Sequence, residues 1–523
     1  MLASISFPSN LESWLPTTAR AWLCVLTSIF IFRLLSLHYH NGLNKYNGPF
    51  LASLTDFWRL CHAYRNNDRE PMIHMHDKYG DVVRMGPNVL SFRQPQAIRD
   101  IYGPKTHFKK SGYYPVNAAV GKGQVAHTLF SSPDPTWHYN LRRSIGASFT
   151  FSSAVGYEPF IESTISTFLK ELDQRFAGKE GRDGIIDLHT WLLYFAFDVM
   201  SDLTYSARHG FLESGKDMFG IITYVKDFLS YGFLAGQMPT VDLFLRHNPI
   251  LMWLEKREWI ASNTFLGIPF AVNHIRERQA RYDAEKHTAN REDLLDKFLK
   301  AKRERPEIVT EREVLGLSLS MMIAGSETTA ITLTAFFYYL LRHPQCYAKL
   351  QSELDTQLPP QDSKDHFHTT SFAAANAVPY LYACVQETFR LHPAFGFNLE
   401  RIVPPSGAII CGYAIPSGTI VGVNAWVVQR DHSIFGADAD EYRPERWLAD
   451  AGVQQMEKTM FQFGAGEHIC LGKNISTVEI YKVVPALMRN FEVGFHMAIR
   501  GWMANIFWRL DGAGESGEGM EAD

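Results

Sequence analysis

The feature that most constrains this chain is a cysteine in a glycine-punctuated loop directly before a helical segment. The loop extends from Phe461 to Gly472, with Cys470 close to its end. Glycines let a backbone approach a flat ligand closely, and amides near a helix N-terminus stabilise a thiolate. A single cysteine is more often a small buried hydrophobe, so its neighbours must decide. A dinucleotide fingerprint is excluded because Ile469 stands where its third glycine is required.

A second constraint is an apolar run from Leu315 to Leu341 whose only charge is Glu327. By length alone this run could be a membrane span. Its centre, Ala324 to Thr329, contains a glycine and three hydroxyl residues, which distort the hydrogen bonding of a helix. We therefore expect a buried helix with a functional centre, rather than a span.

Composition limits the class of protein. Hydrophobic residues make up 46% and charged residues 20%, which is typical of a folded chain with a large core. The net charge of −4 argues against a nucleic-acid partner. The 6 cysteines form no Cys-x-x-Cys pair, which argues against a disulfide framework and a zinc site and favours a reducing compartment.

The N-terminal region is the exception to a soluble profile. Ala21 to Leu37 is apolar and is broken only by Arg33, which could reach the membrane interface. A cleaved signal peptide is the alternative, but no small-residue cleavage site follows. We expect residues 1–42 to form a membrane anchor and linker, and the positive charges downstream place the remainder in the cytoplasm.

The remaining chain predicts one large domain, residues 43–510, followed by a disordered Gly- and Glu-rich tail, residues 511–523. Helical periodicity dominates from Glu158 to Lys300. Short β-branched runs bounded by Gly or Pro predict strands at Asp81 to Met85, Ala408 to Ile410 and Thr419 to Val423. The expected fold class is mainly α with small β-sheets.

The cysteine loop resembles the haem-binding signature Phe-x-x-Gly-x-Arg-x-Cys-x-Gly of the cytochrome P450 family. The matching residues are Phe463, Gly466, Cys470 and Gly472, while His468 replaces the arginine that holds a haem propionate in the family. The resemblance implies that Cys470 is the thiolate ligand of the haem iron and that the other four residues contribute to cofactor binding. It also implies that haem lies between the long distal helix and the cysteine loop.

Further motifs match in the family's order and cover nearly all of the chain. The distal-helix motif implies that Thr328 is the hydroxyl on the dioxygen side and that Glu327 is the acid that relays protons. His138 and Arg142, one helical turn apart, resemble the pair at a haem propionate.

A third motif implies a buried ionic cluster on the cysteine side of the haem. Glu387 and Arg390 share a helix face, which alone is common for a solvated pair. Arg446 belongs to a Pro-Glu-Arg-Trp segment similar to the family's Pro-Glu-Arg-Phe. In the family these three side chains bind one another.

The resemblance implies a haem-thiolate monooxygenase that inserts one oxygen atom of dioxygen into a lipophilic small molecule, by hydroxylation, epoxidation or several oxidation steps. Haem b, iron protoporphyrin IX, would be the cofactor. Because no flavin or nicotinamide fingerprint is present, electrons would come from NADPH through a separate NADPH-cytochrome P450 reductase, with cytochrome b5 as a second donor. The anchor would hold the enzyme in the endoplasmic reticulum membrane.

The sequence is most similar in its wording to members of the family that act in the secondary metabolism of filamentous fungi. The substrate pocket is expected from four apolar segments: Tyr113 and Tyr114, Phe228 to Leu234, Ala394 to Phe397, and the atypical segment Ile499 to Gly514. Two alternatives stay open, a haem-thiolate isomerase or dehydratase and a membrane-tethered binding protein without catalysis. The presence of both Glu327 and Thr328 disfavours the first.

Overall fold

The computed structural model describes residues 17–65, 69–104, 106–179, 184–261, 267–283, 292–358, 367, 369–449 and 451–492. The predicted tail, 511–523, and the predicted pocket segment Ile499 to Gly514 lie outside these residues. The first 16 residues of the predicted anchor and linker lie outside them as well.

Helices make up most of the described chain. Those before the long central helix are α1 Thr17–His38, α2 Phe50–Leu54, α3 Phe57–Tyr64, α4 Arg69–Tyr79, α5 Gln96–Tyr102, α6 Tyr113–Val116, α7 Pro135–Ile145, α8 Phe151–Gly156, α9 Glu158–Arg175, α10 Leu188–Tyr205, α11 Phe211–Ser214, α12 Ile221–Gly236, α13 Pro239–Asp242, α14 Pro249–Lys256, α15 Ile268–Asp283 and α16 Leu294–Glu304. The others are α17 Glu311–Arg342, α18 Pro344–Gln357, α19 Phe372–Asn376, α20 Pro379–Leu391, α21 Ala425–Val428, α22 His432–Phe435, α23 Val453–Thr459 and α24 Lys473–Asn490.

The strands are short and include the three that the sequence predicts. They are β1 Val82–Gly86, β2 Val89–Phe92, β3 Lys109–Lys110, β4 Ala119–Gly121, β5 Gln124–Ala126, β6 Arg401–Ile402, β7 Ala408–Ile410, β8 Tyr413–Ile415 and β9 Ile420–Val423. Mainly helical structure with small sheets confirms the predicted fold class.

The largest sheet joins the N-terminal third of the chain to the segment after α20. Its strand order is β1-β2-β9-β6-β3, with β2 parallel to β9 and the other pairs antiparallel. In this register Lys110 of β3 is the partner of Arg401 of β6. The sheet therefore brings together two basic residues that are far apart in sequence.

Helix α17 crosses the core, as expected for the apolar run. It starts with a capping box in which Thr310 and Glu313 bind each other's backbone. Gly325 allows a close approach of α10, because a Cβ there would lie 2.7 Å from Sδ of Met200. Both this helix and Ala21–His38 are long and apolar enough to span a membrane, but half of the α17 window is buried inside the protein. The expectation of a buried helix is confirmed.

Helix α1 differs because its apolar side chains have no core to pack into. Trp22 and Phe32 are exposed, and 0% of the Ala21–His38 window is buried. Its C-terminal end is nevertheless fixed to the main domain. The buried Arg84 donates hydrogen bonds to the carbonyls of Leu37 at 2.8 Å and of His38 at 2.6 Å.

Candidate functional site

The cysteine loop is held in a tight conformation by its backbone. The amide of Cys470 donates to the carbonyl of Phe463 at 2.8 Å, which closes the loop on itself. Gly466 has a φ of 64°, and a Cβ at this position would collide with the carbonyl oxygen of Tyr102. Phe463 packs edge-on against Phe389 of α20 with ring centroids 5.2 Å apart. Gly466 is thus required both for the turn and for the close contact with α5.

The Cys470 thiol lies within the fold, yet its side chain is accessible, so it faces an internal cleft. Burial raises its pKa, whereas the amides of Gly472 and Lys473 and the charge of Arg142 act in the opposite direction. These are the donors that stabilise a thiolate at a helix N-terminus, since α24 begins at Lys473. The loop therefore provides an accessible sulfur whose thiolate form is stabilised by two backbone amides and by Arg142.

Five basic side chains, from β3, α7, β6 and the loop itself, gather at the cysteine loop. They are Lys110, His138, Arg142, Arg401 and His468. The Nδ1 atom of His468 lies 3.2 Å from Nε2 of His138. Arg401 donates to the hydroxyl of Tyr114, and Lys110 donates to the carbonyls of Leu129 and Phe130 at 2.7 and 2.8 Å.

These basic groups repel one another. Burial, followed by Arg401 and Arg142, lowers the pKa of Lys110 to about 7. Burial and the neighbouring cations also lower the pKa of His138 to about 3 and that of His468 to about 2. Concentrated positive charge in a low-dielectric site needs an anion. The two carboxylates of haem b fit this requirement, and the Cys470 thiol is a suitable ligand for its iron.

The centre of α17 carries the predicted proton-relay residues. The hydroxyl of Thr328 donates to the carbonyl of Ala324 at 2.8 Å, one turn earlier. Ala324 is exposed and Thr328 is partly exposed, although Ala330 and Leu333 beyond them are buried. This face of the helix therefore borders an internal cleft.

Glu327 points into the protein rather than into solvent. It is 6% exposed, and its Oε2 has no hydrogen-bond partner among the described residues. Burial raises its pKa to about 7, while Lys226 of α12 lowers it. A carboxyl group with such a pKa can take up and release a proton near neutral pH.

The structure also brings together the three residues of the predicted ionic cluster. Glu387 binds Arg390 at 2.8 Å and Arg446 at 2.9 Å, and all three are buried. The carboxylate also accepts from the Arg443 amide and the Trp447 indole, both at 2.9 Å. These hydrogen bonds and the arginine charges lower the pKa of Glu387 despite its burial.

Aromatic rings from the predicted pocket segments contact one another. The ring of Tyr113 lies 4.7 Å from that of Phe397, and Phe233 of α12 lies 6.2 Å from Phe397. Tyr114 and Phe395 join them through Phe130. The described part of the predicted pocket is therefore one aromatic surface.

Sequence reasoning missed two members of the basic cluster, Lys110 and Arg401. Each lies on a strand of two residues, and neither belongs to a motif that we identified. It also missed Glu479 of α24, which is fully buried and whose pKa burial raises to about 8, while the nearby Thr329 of α17 acts in the opposite direction. The signal that could have pointed to Glu479 is an acidic residue within a mostly apolar helical run.

Comparison with known proteins supports the resemblance to the cytochrome P450 family. The sequence matches the family model described as Cytochrome P450 over residues 49–501. Relatives include cytochrome P450 monooxygenase cicH of Emericella nidulans, 35% identical over 92% of this chain and 94% of that protein. A cytochrome P450 monooxygenase of Aspergillus terreus is 34% identical over 91% and 95% of the two chains. Monooxygenase pkfB of Emericella nidulans is 34% identical over 87% of each.

These matches extend over most of both chains. They confirm the predicted family, fold and enzyme class, that of a P450 monooxygenase. They also imply a haem cofactor, electrons from a redox partner and a lipophilic substrate. This chain belongs to the cytochrome P450 family.

Proposed function

We propose that this chain is a membrane-bound haem-thiolate monooxygenase that oxidises an uncharged lipophilic intermediate of fungal secondary metabolism. The observation that carries this proposal is the accessible Cys470 thiol beside the cluster of five basic side chains. The same site thus has a thiol that could bind the iron of haem b and basic groups that could bind its two carboxylates. When bound, haem with a thiolate ligand supplies the activation of dioxygen for insertion into a C–H bond or double bond.

In this proposal the loop would hold the haem iron and the basic cluster would hold the propionates. Cys470 would be the iron ligand, and Phe463, Gly466 and Gly472 would shape the loop around it. Arg142 and Arg401, with Lys110 when protonated, would supply the charge that binds the propionates. His138 and His468 would contribute hydrogen bonds.

The acid and hydroxyl on α17 handle protons. Glu327 has a pKa of about 7, so near neutral pH it can deliver a proton to the cleft and then be protonated again. The Thr328 hydroxyl can donate and accept, and its bond to the Ala324 carbonyl orients it. Proton delivery by these two residues is what distinguishes a monooxygenase from an isomerase or dehydratase of the same family.

Electrons would come from NADPH through NADPH-cytochrome P450 reductase, with cytochrome b5 as a second donor. Arg143 and Lys473 are exposed close to the cysteine loop and would offer positive charge to such a partner. Arg142, one residue before Arg143, is partly buried and belongs to the basic cluster.

Membrane attachment is supported by two exposed apolar surfaces. One is α1, which would be the anchor of residues 1–42, with 43–510 as the catalytic domain and the tail 511–523 beyond it. The other consists of exposed side chains on α3 and the α13–α14 region, namely Phe57, Tyr64, Leu243, Phe244, Ile250 and Trp253. Because α3 packs against α12, which leads into α13, these side chains can face the same bilayer. The endoplasmic reticulum membrane would hold both enzyme and reductase.

The substrate class follows from the aromatic surface of Tyr113, Phe233 and Phe397. Pockets of this kind bury most of a small ligand and orient it with few polar groups. A terpenoid, polyketide or aromatic intermediate fits that surface. The monooxygenases that this chain matches come from filamentous fungi, which agrees with such a pathway.

The experiment is turnover of purified protein with a fungal NADPH-dependent reductase and dioxygen labelled with heavy oxygen. A library of terpenoid and polyketide compounds would be screened by mass spectrometry. We expect a product that gains one labelled oxygen atom while the other appears in water. Product formation without reductase would favour the isomerase alternative, and haem binding without any turnover would favour a binding protein.

A further inference from the structure

The C-terminal end of α1 is held by one buried arginine of the sheet. The last carbonyls of a helix have no partner within the helix, so their hydrogen-bond donors must come from outside it. Arg84 of β1 donates from Nη2 to the Leu37 carbonyl at 2.8 Å and from Nη1 to the His38 carbonyl at 2.6 Å. The same guanidinium donates to the carbonyls of Gly86 at 3.3 Å and Pro87 at 2.6 Å. One planar side chain therefore joins α1 to β1 and to the turn that follows it.

The charge of Arg84 is balanced by dipoles rather than by an acid. The side chain is buried, and burial lowers its pKa. Among the described residues no carboxylate pairs with it, although a buried charge normally needs a counterion. A cation beside the C-terminus of a helix is stabilised by the partial negative charge of the helix dipole. Arg84 and the end of α1 therefore stabilise each other.

The linker that follows α1 is fixed at further points. Nδ1 of His38 lies 2.9 Å from the hydroxyl of Ser53 in α2. The backbone amide of Arg84 donates to the carbonyl of Asn47 at 2.8 Å, so the linker also runs along β1. Leu43, between these contacts, is fully buried in the core beside the sheet. The chain between α1 and α2 is thus attached to the domain by side chains and by backbone.

We propose that Arg84 makes α1 a rigid arm rather than a flexible tether, so that the catalytic domain keeps one orientation on the membrane. The proposal rests on the proposed function, because it takes α1 as the membrane anchor. With 22 residues α1 is about 33 Å long, close to the ~30 Å of a hydrocarbon core, so the bilayer limits its direction. A fixed angle between α1 and β1 then fixes the angle of the domain. The exposed apolar side chains of α3 and the α13–α14 region are thereby kept at the membrane surface.

The experiment measures the orientation of the haem in full-length, haem-loaded protein reconstituted into oriented phosphatidylcholine multilayers. The electron paramagnetic resonance signal of ferric haem is anisotropic, so it changes as the layers are rotated in the field only when the domains share one orientation. We expect strong angular variation for the wild type and a loss of at least about half of it in Arg84→Gln, because glutamine cannot bind both carbonyls of α1. The matched control is Arg93→Gln, which removes a partly exposed pair with Asp77 and should keep the wild-type signal.

A second variant leaves Arg84 and the domain unchanged. Three glycines inserted between Ser36 and Leu37 separate the membrane helix from the clamped carbonyls, and the angular variation should be lost here as well. This variant decides the question if Arg84→Gln fails to fold, which the reduced carbon-monoxide spectrum of each sample reports.

Several outcomes would overturn the rigid arm. They are wild-type angular variation in the insertion variant or in folded Arg84→Gln, an equal loss in Arg93→Gln, and no angular variation in membrane-bound wild type. Release of the wild type from the bilayer by alkaline carbonate would instead reject the membrane anchor of the proposed function. Retention after carbonate with an unoriented haem rejects the role of Arg84 alone.

Discussion

The imidazoles of His468 and His138 lie side by side, with Nδ1 of the first 3.2 Å from Nε2 of the second. Two imidazoles can share a hydrogen bond only when one donates and the other accepts. The lowered pKa values of both rings, about 2 for His468 and about 3 for His138, make them neutral. The position of the family's arginine is thus uncharged here, and Arg142 and Arg401 carry most of the charge, because Lys110, with a pKa of about 7, is only partly protonated at neutral pH.

The first prediction follows from this distribution of charge. Arg401→Gln should weaken haem retention about tenfold or more, since a hydrogen bond to a charged group contributes ~1.5 to 3 kcal/mol. His468→Gln keeps a neutral hydrogen-bonding group and should have a smaller effect. The measurement is the rate of haem transfer to excess apomyoglobin. A larger effect of His468→Gln than of Arg401→Gln would contradict this assignment.

The ionic cluster gives a prediction about folding. Glu387→Ala leaves Arg390 and Arg446 buried without their carboxylate, which should cost ~3 to 5 kcal/mol. We expect little soluble haem-bearing protein. Glu445→Ala, in the same segment as Arg446, removes a partly exposed pair with Lys349 and a hydrogen bond from the Tyr380 hydroxyl, and should cost about 1 to 2 kcal/mol. Normal haem content in Glu387→Ala would show that the cluster is dispensable.

A third prediction concerns the hydroxyl on α17. Thr328→Ala should keep haem and substrate binding but release severalfold more hydrogen peroxide per NADPH consumed, because in the proposed function this hydroxyl directs protons during dioxygen activation. Thr334→Ala is the matched control, since Thr334 makes the same bond to the carbonyl four residues earlier but is buried. Equal peroxide release from both variants would remove Thr328 from the relay.

Glu479 gives a prediction about pH and stability. Its folded pKa, about 8, is raised above the unfolded value of about 4.3, so the folded state binds the extra proton between these pH values. This carboxyl therefore destabilises the fold progressively as pH rises through that window, by up to about 5 kcal/mol. Glu479→Gln should raise the melting temperature at alkaline pH and change it little below about pH 4.3. A uniform shift at all pH values, or the same profile in the control Glu353→Gln, a partly exposed acid of α18, would contradict the buried-carboxyl account.

Much of the site could be predicted because its residues lie in continuous motifs. The loop around Cys470, the centre of α17 and the Glu387–Arg390 pair each depend on neighbours within a few residues. Lys110 and Arg401 could not be found this way, because they meet only through the pairing of two strands of two residues each. Such strands have no period to detect. The buried ion pair between Arg59 and Glu400 was not predicted for the same reason, since the two residues lie 341 positions apart.

The fold class was predictable from helical periodicity and from short β-branched runs, and the strands appeared where expected. The protonation state of each buried acid was not predictable. Sequence alone marks Glu327 as a charge in an apolar helix and gave no prediction for Glu479, and only packing determines that both are buried and carry pKa values near or above neutrality. Burial depends on distant elements, which no local pattern specifies.

The most direct test of the haem-thiolate assignment is the reduced carbon-monoxide spectrum of wild type, Cys470→Ser, Cys384→Ser and Cys411→Ser. A neutral serine hydroxyl cannot supply the negative charge that gives the long-wavelength band of a thiolate-ligated haem. Cys384 is buried in α20, and Cys411 has a pKa raised to about 12 by burial and Asp100, so neither should act as a ligand. We predict that only Cys470→Ser loses the band. Retention of the band in Cys470→Ser, or its loss in either of the other variants alone, would contradict the account.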